Sequence, residues 1–113
     1  MAFPYQRLSA SIAVAPQLGP EAMAEAAAAG FKSVINNRPD FEGGPDQPTS
    51  ASVGAAALAA GLQYVWQPVA PSVHSADDIA RFAELVATLP QPILAFCRTG
   101  TRSGKLARAA GAA

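Results

Sequence analysis

The 113 residues suffice for one domain, 1–113, around a single ordinary core. Half are apolar and 14% are charged, which excludes a disordered chain, and no apolar stretch reaches membrane-spanning length. Eight Lys/Arg balance eight Asp/Glu, so nothing in the charge favours non-specific binding of nucleic acid or of an acidic membrane. The single cysteine cannot form an internal disulfide, and no zinc spacing occurs, so we expect no metal or organic cofactor and a reducing, cytoplasmic setting. The apolar piece near the start is too short for a secretory signal and has only Arg7 as a basic flank.

Leu8, Ala10, Ile12 and Val14 alternate along "LSASIAVA", the period of a half-buried strand. Gly19 breaks it, Pro20 suits the first turn of a helix, and "EAMAEAAAA" is strong helix-former sequence that stops at Gly30. "FKSVIN" is a second strand, followed by the turn-rich "NNRPDFEGGPDQP". Thr49 or Ser50 caps a helix that ends near Ala60, with Gly61 as its stop. "LQYVWQPV" is a third strand. After the loop "APSVHS", Ser75 and Asp78 begin a capping-box-like helix carrying Ile79, Phe82, Ala83 and Val86 at helical spacing and ending before Pro90. "PILAF" is a fourth strand, apolar throughout, as in a sheet covered on both faces. A last helix runs from about Arg102 to residue 113. Strands alternating with helices predict an α/β fold, with a small, mainly parallel sheet of four or five strands and helices on both faces. Ligands of such sheets sit beyond the carboxyl ends of the strands, which is where Cys97 falls.

A lone cysteine in an apolar strand is ordinarily a buried small hydrophobe. Here it is followed by Arg98, Thr99, Gly100, Thr101, Arg102 and Ser103, and then by a helix. A helix N-terminus and a nearby guanidinium both lower a thiol pKa. Gly100 lets successive N–H groups turn inward as an anion nest, and Arg102 supplies a planar fork for an oxyanion. The segment is therefore built to hold a thiolate and an anion against it.

"CRTGTRS" resembles the active-site loops of two groups of thiolate enzymes. Cysteine-dependent phosphatases carry five residues between Cys and Arg; rhodanese-type sulfurtransferases commonly carry four, as between Cys97 and Arg102. Nearly the whole chain, through "GPEAMAEAAAAGFKSVINNRPDFEGGPDQP", "AAGLQYVWQPV" and "FCRTGTRS", resembles the bacterial phosphatase-like domain of beta-lactamase-hydrolase-like proteins, a family also labelled a sulfur transferase family. The resemblance implies a dual-specificity-phosphatase-like fold and a sulfur role, since relatives of the domain occur fused to sulfide-oxidising enzymes and persulfide dioxygenases. It implies Cys97 as nucleophile, Arg102 as anion clamp, Ser103 as support for the leaving thiolate, and the backbone of 98–103 as the cradle. Arg98 is fixed by neither motif: it faces solvent or helps capture substrate.

A phosphatase of this kind also needs a proton for the departing alkoxide, usually from an aspartic acid after the preceding strand. "PVAPSVHS" holds none. Asp77 and Asp78 suit a helix first turn instead. His74, the sole histidine, and Asp40 are the candidate acids, although a turn role fits each. Arg38 is either a rim cation or a salt-bridge partner, and Tyr64 and Trp66 fit the core or sheet edge. Sulfur transfer asks for no acid, because sulfite or a thiolate leaves as a stable anion. We therefore expect sulfane-sulfur transfer from thiosulfate or a persulfide through a Cys97 persulfide. Phosphomonoester hydrolysis is the alternative, and an inactive anion- or phosphoprotein-binding module the third.

Overall fold

Strands and helices alternate along the computed structural model, which describes residues 3–113. In chain order they are β1 (Gln6–Arg7), β2 (Ile12–Ala15), α1 (Met23–Ala28), β3 (Ser33–Asn36), α2 (Ser50–Ala59), β4 (Gln63–Trp66), α3 (Ala76–Thr88), β5 (Ile93–Phe96) and α4 (Thr101–Ala109). A short 3-10 turn, Pro20–Ala22, leads into α1. The strands form one sheet in the order β1-β2-β5-β3-β4. Strands β2, β5, β3 and β4 are parallel, and β1 is an antiparallel edge.

Each strand splits its side chains between two cores, as a period of two requires. Ala13, Ala15, Val34, Leu94 and Phe96 face α1 and α2. Ile12, Val14, Ile35, Ile93 and Ala95 face Phe82 and Leu85 of α3 and Leu106 of α4. Helices on both faces explain why the four residues of β5 are fully buried. Small side chains let α2 lie close: a Cβ on Gly54 would stand 3.0 Å from the Tyr64 ring.

Most helix signals hold. Thr49 accepts from the Ser52 N–H, and Ser75 with Asp78 forms a complete capping box. The first strand differs from its alternating pattern. Leu8 and Ser9 N–H groups both donate to the Ile12 carbonyl, so residues 8–11 turn the chain. Gln6 and Arg7 then pair back onto Val14 and Ala13. Only Ile12–Ala15 remains as parallel strand, and all four residues are buried. None of the helices among the described residues is long and apolar enough to cross a membrane.

Candidate active site

Strand β5 is hydrogen-bonded to β2 on one side and β3 on the other, and it delivers Cys97 at the carboxyl end of the sheet. The thiol is 1% exposed. Three residues later the chain turns through Gly100 at φ 92°, which caps α4. That positive φ suits glycine, and a Cβ there would approach the Ala15 backbone at 3.4 Å. The turn aims the Gly100 N–H at Cys97 Sγ, 3.1 Å away. Burial pushes the thiol up, but the Ser103 N–H and hydroxyl, with the N–H groups of Gly100 and Thr99, outweigh it and hold the thiol below its ordinary 9.0.

The first turn of α4 points Arg102 and Ser103 inward and Thr101 outward. The Ser103 hydroxyl donates to Asn37 Oδ1 at 2.9 Å, and Asn37 Nδ2 is fixed by the Gln67 carbonyl at 3.1 Å. Ser103 has one hydroxyl proton, so it serves either Asn37 or the sulfur, and rotation about one bond exchanges the two. Thr99 and Thr101 bond each other through their hydroxyls at 3.1 Å on the exposed side of the loop.

Arg102, 6% exposed, is held from three directions. Nη1 donates to the Val69 carbonyl at 3.1 Å, to the Asn37 carbonyl at 3.5 Å and to Glu42 Oε2 at 3.1 Å. Nη2 donates to Glu42 Oε1 at 2.9 Å. Glu42 also receives Arg38 Nε at 2.9 Å, and Arg38 Nη1 reaches Gln17 Oε1 at 2.9 Å. Burial raises the Glu42 carboxyl, but hydrogen bonds and charge from Arg102 and Arg38 outweigh it and hold it below its ordinary value. This grip leaves Arg102 Nε buried and without a partner. A buried charged donor left unpaired costs more than the 1–3 kcal/mol, roughly, of a neutral one. The guanidinium thus keeps one buried donor uncommitted on a side chain that lines the same cleft as Cys97.

Above the loop lies a cleft of about 630 Å³ that includes Cys97. Four cations line it, Arg38, Arg98, Arg102 and Lys105, against one carboxylate, Glu42. Arg98 and Lys105 are exposed, and neither makes an ion pair among the described residues. No cluster of metal-ligating side chains occurs among the described residues.

The two candidate acids are not brought to the cleft. Asp40 Oδ1 accepts the Ser50 N–H at 2.8 Å, at the start of α2. His74 lies half-buried in the loop before α3, away from the lining. Asp78 is spent on the capping box, as a first-turn carboxylate should be. Tyr64 bonds Asn36 and Ser50, and the Trp66 indole donates to the Arg38 carbonyl, so both brace the sheet edge. Sequence reasoning missed Glu42 and Asn37. The signal for Glu42 was its place four residues after Arg38, but loop spacing does not fix geometry as helical spacing does.

The family model for the phosphatase-like domain of beta-lactamase hydrolase-like proteins matches residues 5–113. The chain belongs to this family. It is 42% identical over 76 residues to the beta-lactamase hydrolase-like protein of Agrobacterium fabrum, covering 67% of this chain and 17% of that protein. The Xylella fastidiosa relative is 40% identical over 74 residues, again 17% of its length. This phosphatase-like domain thus spans about a sixth of the curated relatives it matches. Among solved structures, a candidate phosphatase from Neisseria meningitidis superposes with a TM-score of 0.80 at 29% identity, covering 95% of this chain and 86% of that one. The core catalytic domain of the PP-IP phosphatase SIW14 from S. cerevisiae, in complex with citrate, gives 0.69 at 18% identity, covering 90% and 60%, a likeness of fold alone.

Proposed function

We propose that this phosphatase-like domain hydrolyses phosphomonoester-type substrates through a phosphocysteine at Cys97. The observation that carries the reading is the unpartnered Arg102 Nε, on a side chain that lines the same cleft as a buried thiol accepting the Gly100 N–H at 3.1 Å. An incoming phosphoryl group satisfies that Nε and the inward N–H groups of the loop. Cys97 Sγ attacks phosphorus as the ester P–O bond breaks, and the departing oxygen carries off the electron pair and takes any proton it needs from solvent. Water then forms a P–O bond as the S–P bond breaks, its lost proton leaving with inorganic phosphate or to solvent, while the Ser103 hydroxyl swings its hydrogen bond from Asn37 to the departing thiolate. Arg102 and the loop donors are fixed before substrate arrives, so no reorganisation is spent in the transition state.

The four-residue Cys97–Arg102 spacing by itself favours sulfur transfer. The phosphatases among the structural relatives favour phosphoryl transfer, and none of the relatives described above supports sulfur transfer directly. The test uses para-nitrophenyl phosphate with the wild type and with Cys97→Ser. Phosphate release should fall on the order of 10⁴-fold or more in the variant. A sulfur adduct on Cys97 after thiosulfate, seen by intact mass in a protein that releases no phosphate, would reverse the assignment. Anion binding that survives Cys97→Ser with neither reaction would make the domain a binding module.

A further inference from the structure

Among the described residues, no acid that lines this cleft is uncommitted. Glu42, the one carboxylate lining it among the described residues, accepts from Arg38 Nε and from both Nη atoms of Arg102. Protonating Glu42 means breaking a charge-assisted contact with a guanidinium, and moving it away releases the Arg102 fork from its working orientation. Asp40 is committed to the Ser50 N–H and Asp78 to its capping box, and neither they nor His74 line the cleft. An alkyl phosphate expels an alkoxide, which needs a proton at the moment of departure. A phosphoric anhydride expels a phosphate, already a stable anion.

The cations on the rim point the same way. Lys105 stands one helical turn after Thr101 on the exposed face of α4, and Arg98 lies on the other flank of Thr99. Both line the cleft that holds Cys97, and neither has an acidic partner among the described residues. The loop donors and Arg102 suffice for one phosphoryl group, so two further free cations exceed what a monoester requires.

Given the phosphoryl-transfer reading above, we infer that the substrate is a phosphoric anhydride, its terminal phosphoryl group in the 97–103 cradle and its second phosphate between Arg98 and Lys105. The Cys97 S–P bond forms as the bridging P–O bond breaks, and the second phosphate leaves with the electron pair and no proton from the protein. Water then forms a P–O bond as the S–P bond breaks. The thiolate is restored, and the proton lost by water leaves with inorganic phosphate or to solvent.

A matched pair tests this: methyl diphosphate against methyl phosphate, with para-nitrophenyl phosphate as the reference. Methyl diphosphate should exceed methyl phosphate in kcat/KM by at least about 100-fold, the lower end of what a general acid contributes where one exists. Arg98→Ala and Lys105→Ala should each lower the ratio of methyl diphosphate to para-nitrophenyl phosphate turnover by up to about fivefold, as surface ion pairs allow. Equal rates for the matched pair, or an unchanged ratio in both variants, overturn the anhydride assignment while para-nitrophenyl phosphate turnover keeps the phosphatase reading intact. Absence of phosphate release from all three substrates overturns the phosphatase reading itself, and the anhydride assignment with it.

Discussion

Two loops meet at the carboxyl ends of neighbouring strands, and they build the site by opposite means. The loop from β5 to α4 is short and works through its backbone: Gly100 turns it, and N–H groups converge on the sulfur. The loop from β3 to α2 is long and works through side chains. Gln47 pins it to the Pro39 carbonyl and the Gly43 N–H, Asp40 ties it to α2, and Phe41 adopts φ 62° just before Glu42. A left-handed phenylalanine is strained and persists only where its surroundings fix it. The first loop creates the electrostatic field; the second aims the charge that uses it.

Substitutions in the two loops should therefore fail differently. The largest effect after loss of the Cys97 thiol is expected for Arg102→Lys, which keeps the charge and deletes the fork. Turnover of para-nitrophenyl phosphate should fall roughly 10²–10³-fold, as when a preorganised donor is removed. Gly100→Ala strikes the backbone loop. It should cost about 1–3 kcal/mol in urea unfolding, since alanine resists that positive φ. It should also shift the pH midpoint of iodoacetamide alkylation at Cys97 back toward 9.0.

Glu42→Gln strikes the aiming loop and should leave the alkylation midpoint nearly unchanged. It should lower kcat/KM about tenfold through misdirected Arg102, and Glu42→Ala should be worse, because glutamine retains an acceptor. Glu42 has a folded pKa below its unfolded 4.5, so the unfolded chain holds the proton more tightly. Its carboxylate stabilises the fold above about 4.5, and that contribution fades as pH falls through the lower folded value. Urea titrations of Glu42→Gln should accordingly show a flatter acid limb than the wild type. The smallest effect is expected for Asp40→Ala, about 1 kcal/mol of stability with turnover preserved, because its bond to the start of α2 touches neither Glu42 nor Arg102. A large loss of turnover there would erase the division between aiming and supporting residues.

The two loops were also unequally legible. Cys97, Gly100, Arg102 and Ser103 are contiguous, and local chemistry foretells a strand end, a turn and a helix start. Glu42 lies 60 residues from the arginine it grips and Asn37 66 from the serine it holds, and only the parallel pairing of β3 with β5 brings them together. The helices followed from caps and glycine stops, because those signals act within one turn. Alternation at residues 8–15 suggests a half-buried strand, but helices cover both faces of β2 and the chain reverses before it at residues 8–11. Asp40 and His74 were chosen as acids by residue type and strand-end position, which say nothing of direction.

Arg102 takes its restraints from the carbonyls of Asn37 and Val69, which follow β3 and β4, while riding on the helix that follows β5. The binding fork therefore exists only when three crossovers have closed, and local fraying of any one dissolves it. On the proposed function, affinity for an oxyanion such as inorganic phosphate is thus coupled to the global melting of the chain. Added phosphate should raise Tm by mass action on the folded form, and Arg102→Lys should weaken that response.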